Sequence, residues 1–184
     1  MRRRVRRTLL TAVPCPCGGT MKPVRIPRYD VSAELGIHVV LVGDVSTLEC
    51  ETCGAIAIPG TVLEAAMEAA VVQVLQLERR LSGREAQFLR KAVLECSQSA
   101  LAERIGLSRP TVARWELAQS LTAEQDFNLR ALLMGHLLRA SRLGSPRWLR
   151  SGQPLPELAE AQLQGARSRP APKRVPPLRI RPAA

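Results

Sequence analysis

Aromatic side chains are scarce in this chain: two Trp, one Tyr and two Phe. A large aromatic-lined ligand pocket is therefore not expected. Lysine is scarce too, with three residues against 24 arginines, and there are only two histidines, His38 and His136. Both His lie among apolar residues, no Gly-rich phosphate loop is present, and no Ser/His/Asp order stands out, so an enzyme is not expected. No apolar run reaches the ~20 residues that cross a bilayer. The start, MRRRVRRTLLTAV, has a charged beginning, but its apolar part stops at Pro14. That is too short for a secretory signal, so a cytoplasmic, nucleoid-associated bacterial protein with no membrane partner is expected.

What the chain does have is positive charge. Its 184 residues carry a formal net charge of +11. The excess sits in three places: an arm over 1–13, the segment 84–150, and a tail over 151–184. Residues 14–83 are slightly acidic. Such a balance points to a polyanionic partner. The tail is rich in Pro and Arg and has little apolar periodicity, so residues 145–184 are expected to be disordered.

Four of the five cysteines form two close pairs, Cys15-Pro-Cys17-Gly-Gly and Cys50-Glu-Thr-Cys53-Gly. Between them the sequence alternates and is β-branched (Val24, Ile26, Ile37, Val39, Val40, Val42), with Gly36 and Gly43-Asp44 as turn signals. The expectation is a small antiparallel sheet over 14–60 that brings two Cys turns together. Four thiolates at one point repel one another unless a soft cation joins them. Structural Zn²⁺ held by Cys15, Cys17, Cys50 and Cys53 is the expected answer. The first pair is one residue shorter than the usual Cys-x-x-Cys knuckle. A disulfide, redox chemistry, or unrelated buried cysteines are the alternatives. Cys96 reads as a small core residue and His38 as a strand residue rather than a ligand.

The second half is helical. Thr61-x-x-Glu64 has the form of a capping box and opens a connector helix within 61–81, with Leu63, Met67, Ala70, Val71, Val74 and Leu75 at helical spacing. The alternative for its wide apolar face is a partner surface. Ser82-x-x-Glu85 is a second capping box, opening a helical domain over 82–144. Within it, Leu101, Ala102 and Ile105 give the inner face of a short helix. Gly106 ends it, and Leu107 is expected to plug the core. Ser108 caps the next helix and Pro110 fits its first turn. Val112 and Trp115 then face inward, leaving Arg109, Thr111 and Arg114 outside. This is the pattern of a helix-turn-helix whose second helix enters the DNA major groove. Arginine suits the task, because its fork can hold O6 and N7 of guanine together. A last helix, capped by Thr122-x-x-Gln125, carries a leucine stripe, either core or a dimer seam.

Residues 82–120 resemble an Xre/Cro-type helix-turn-helix. The order of parts over roughly 14–143 resembles the YgiT/MqsA-type zinc-finger antitoxins and regulators. The resemblance implies an α+β protein, in which a small zinc-ribbon-like β module is joined by a helix to an all-α helix-turn-helix domain. It implies a homodimer on double-stranded operator DNA, a toxin protein as partner of the zinc module, and repression of the chain's own operon. It maps DNA contacts to Gln98, Ser108, Arg109, Thr111 and Arg114, with Gln98 near phosphate, and metal ligands to the four paired cysteines. A stand-alone zinc-finger regulator and a non-specific nucleic-acid-binding module are the other readings.

Overall fold

A computed structural model describes residues 13–142, 170–171 and 177–181. The basic arm up to residue 12 and most of the tail lie outside the described residues. The fold is α+β, an N-terminal sheet followed by helices.

The alternating stretch becomes a long antiparallel pair, β2 (Thr20–Asp30) and β3 (Val39–Cys50), flanked by the two-residue strands β1 (Val13–Pro14) and β4 (Ile56–Ala57). The connection between β2 and β3 holds a four-residue helix, α1 (Ser32–Leu35). Asp30 starts this turn by accepting the Ser32 N–H, and Gly36 ends it at φ 72°. Gly43-Asp44, expected as a turn, instead lies inside β3. Ile26 pairs with Val45 and Arg28 with Val42, so Gly43 and Asp44 together oppose Pro27. Pro27 has no N–H for the ladder, and Gly43 adopts φ 105°, so the extra residue is absorbed as a bulge rather than a reversal.

The helices are α2 (Gly60–Leu75), α3 (Gly83–Ala92), α4 (Gln98–Arg104), α5 (Arg109–Leu117) and α6 (Ala123–Arg142). The capping box expected at Thr61 and Glu64 does not form. The helix starts at Gly60, behind Pro59 as its N-cap, two residues before the expected cap; the fixed φ of Pro59 suits the position without a side-chain bond. The helix also ends at Leu75 rather than near residue 81. The other two boxes do form. Ser82 and Glu85 bond reciprocally, as do Thr122 and Gln125.

One hydrophobic core runs through the molecule. Val31, Val39, Leu41 and Val45 of the sheet segment share it with Val74, Leu89, Val112 and Leu133 of the helices. A second, smaller cluster holds Cys15, Met21, Leu48 and Cys50. The sheet therefore has two ends with different neighbours: one packed into the helical core, the other built around sulfur.

The expectation of a disordered tail fails at one point. Leu178–Ile180 forms a fifth strand, β5, parallel to Val39–Leu41 of β3. Ile180 is 3 % exposed, so one apolar side chain in a polar tail anchors it.

α3 meets α5 at close range. A Cβ at Gly83 would lie 2.6 Å from the carbonyl carbon of Glu116 and would also strike the Trp115 carbonyl oxygen. Backbone cannot yield as a side-chain tip can. Gly83→Ala should therefore destabilise the protein by about 1–3 kcal/mol, read as a lower denaturant midpoint at unchanged slope.

Candidate metal centre and nucleic-acid face

The β2–β3 register sets the first site. Met21 lies opposite Cys50, so the β1–β2 turn carrying Cys15 and Cys17 stands beside the turn that follows β3. Each turn is closed by its own backbone. The Gly18 N–H donates to the Cys15 carbonyl, and the Gly54 N–H to the Cys50 carbonyl, both at 2.9 Å. Gly18 and Gly54 sit at φ 87° and 70°, where a side chain would be strained. The two turns also press together. A side chain at Gly19 would strike Thr52 and approach the Cys50 sulfur to 2.9 Å.

The four sulfurs of Cys15, Cys17, Cys50 and Cys53 lie within 4.8 Å of one another. Cys15 and Cys53 are 3.7 Å apart and Cys17 and Cys50 are 3.5 Å apart. Disulfide sulfurs sit at about 2.05 Å, so these are not bonded pairs. Four sulfurs at ~2.3 Å around a tetrahedral metal would stand about 3.8 Å apart, close to the spacing seen. The short Cys-x-Cys knuckle therefore still delivers both its sulfurs to one point.

The four thiols of the cluster differ in acidity. Backbone N–H groups of Cys53 and Thr52 point at the Cys50 sulfur and lower its thiol to about 6. Amides of Cys17, Gly19 and Ala55 pull on Cys15, Cys17 and Cys53 respectively. Neighbouring sulfurs and burial outweigh them, and those three thiols are raised. Four thiolates here could together hold a soft metal ion, which would offset their mutual repulsion. His38 is exposed and takes no part in this cluster, and Cys96 is half-buried against the main core.

The second site is α5 with the turn before it. Ser108 accepts the Thr111 N–H at the start of the helix, with Pro110 in the first turn. Val112 is fully buried and Trp115 is 7 % exposed. Ser108, Arg109 and Arg114 are exposed and Thr111 is half-buried. The Thr111 hydroxyl lies 2.8 Å from that of Ser108 and accepts from Arg114 at 3.5 Å. Gly106 takes the expected left-handed turn at φ 67°. Leu107 does not plug the core: it is 40 % exposed, because Leu101, Ile105, Val112 and Trp115 already fill the space between α4 and α5.

Gln98, at the start of α4, bonds within the protein. Its amide nitrogen donates to Glu116 at 2.8 Å, and Glu116 also receives two bonds from Arg90, at 2.5 and 3.1 Å. Both members of the ion pair are buried. Sequence reasoning gave neither residue a role. The signal was available: Glu116 stands four residues after Val112 and one after Trp115, on the inner face, and a buried acid requires a base. Burial acts to raise the Glu116 carboxyl, but the bonds from Arg90 and Gln98 outweigh it and hold it below the ordinary 4.5. Its stabilising contribution is thus complete above pH 4.5 and is lost as pH falls through the lowered value. Glu116→Gln should weaken the protein near neutrality and flatten that part of its acid-unfolding curve, measured by denaturant midpoints across pH.

Among the described residues, no helix is long and apolar enough to cross a membrane. No family model matches the chain, and neither a curated protein nor a solved structure matches it.

Proposed function

We propose that this protein is a sequence-specific DNA-binding transcriptional repressor, with a structural Zn²⁺ in its cysteine cluster. The observation that carries the reading is α5. Its N-terminal turn is fixed by Ser108 and Pro110, its inner face is held by Val112 and Trp115, and its outer face presents Arg109 and Arg114 to solvent. A rigid helix with one exposed arginine at its start and another in its last turn suits base-edge readout in the major groove. In this reading α4 and α5 form the helix-turn-helix, and Arg90–Glu116–Gln98 holds its angle. Two copies read two half-sites. The Cys₄ set has no open position for water, so the metal's task is to join the two turns.

The toxin partner rests on the resemblance to zinc-finger antitoxins, and a small toxin-like reading frame beside the gene tests it. The DNA reading is tested by Arg109→Ala and Arg114→Ala. Each should lower affinity for the preferred sequence by about 10- to 100-fold while changing affinity for random DNA far less. Equal loss on both DNAs would mark these arginines as phosphate contacts and sink their role as base readers.

A further inference from the structure

The strand β5 occupies an edge of the sheet that the other described strands leave open. β4 covers β3 only at Leu48 and Glu49, so among the described residues no other strand pairs with Val39–Leu41 on that side. β5 fills this place. The Leu178 N–H donates to the His38 carbonyl at 2.8 Å, and Gln73 of α2 donates to the Arg179 carbonyl at 3.3 Å. Ile180 enters the main core, Leu178 is half-buried, and Arg179 points to solvent. The slot between β3 and α2 therefore selects an extended segment of apolar–any–apolar pattern, backbone first and alternate side chains second. This is the physics of strand addition to a sheet edge.

We propose that this slot is a peptide-docking groove, and that the C-terminal segment Pro177–Arg181 is its built-in, releasable occupant. Three ladder residues and one fully buried side chain hold the strand. A short edge strand held by so few described contacts opens at a small cost. The other described tail contact is the Pro170 carbonyl, which accepts from the Arg80 N–H at 2.9 Å. Leu178 also lines a cleft of about 320 Å³ together with Leu117, the last residue of α5, and Ala118 and Gln119 just after it. Release of the strand would take Leu178 out of that lining.

Hydrogen exchange on the intact chain tests the release. Amides of Leu178–Ile180 should exchange at least ~100-fold faster than the protected amides of the β2–β3 ladder, because the strand leaves by a local opening. Exchange of both at one common rate would make β5 an integral strand and overturn the proposal. A chain ending at Pro176 supplies the binding arm. It should bind a synthetic Pro177–Ala184 peptide, and an Ile180→Asp version at least ~10-fold more weakly. Full-length protein should bind the free peptide at least ~10-fold more weakly than the shortened chain, since its own tethered strand competes. Equal binding of the two peptides would also overturn it.

Discussion

Replacing Arg130 by alanine should lower the unfolding free energy by about 3–5 kcal/mol, the range for breaking a buried ion pair by removing one partner. Arg130 and Asp126, one turn apart on α6, are both 0 % exposed. The guanidinium donates to Asp126 and to the carbonyls of Leu75, Leu77 and Arg79. Asp126 in turn accepts the Leu81 N–H at 2.9 Å. One side-chain pair thus satisfies the end of α2 and the irregular chain that leads to α3. Removing the cation would deprive a buried carboxylate, the buried Leu75 carbonyl and two part-buried carbonyls of the bonds it makes to them. Chemical denaturation of Arg130→Ala, beside Asp126→Asn and the double variant, gives the coupling as a double-mutant cycle. A loss under 1 kcal/mol, the level of exposed pairs, would mean that the clamp does not hold α6 in place.

Metal removal should give the second large effect, and a local one. Chelation should release the amides of Cys15, Gly18, Cys50 and Gly54 to exchange, together with the short strands β1 and β4. The far end of the sheet should stay protected, because Val39, Leu41 and Val45 belong to the core shared with the helices. Cys50→Ser should reproduce the chelated pattern. Metal uptake near pH 7.5 should release ~3 protons per ion, since Cys50 is already largely ionised and the other three thiols are not. Calorimetric titration in two buffers of different ionisation heat reads that number.

The parts of the fold that sequence reading reached are those governed by local chemistry. The cysteine spacing and the alternating run between the pairs foretold one cluster on an antiparallel sheet. The pairs Ser82/Glu85 and Thr122/Gln125 marked helix starts, and Gly106 marked a left-handed turn. The failures share a cause. Gly43-Asp44 reads as a turn until Pro27, sixteen positions earlier, is seen to force a bulge across the ladder. Thr61/Glu64 has the right form for a cap, but Pro59 starts the helix first. Leu107 was expected inside because it is apolar, yet its neighbours already fill the space. Ile180 alone, in a Pro- and Arg-rich tail, has no periodicity to reveal it; only the open edge at Val39–Leu41 gives it a place. Arg130 is a charged residue that local pattern assigns to solvent, while the carbonyls it satisfies lie more than fifty residues away.

The repressor reading is tested most directly by selecting bound DNA from a random pool with the purified, zinc-loaded protein at physiological salt. A preferred sequence should emerge with two related half-sites about one helical turn apart, or a multiple of it. It should be bound at least ~1,000-fold more tightly than random DNA, with Arg109→Ala losing the preference at defined positions. Salt-sensitive binding of the whole pool with no sequence enriched would contradict it, leaving a basic protein that holds nucleic acid by charge alone.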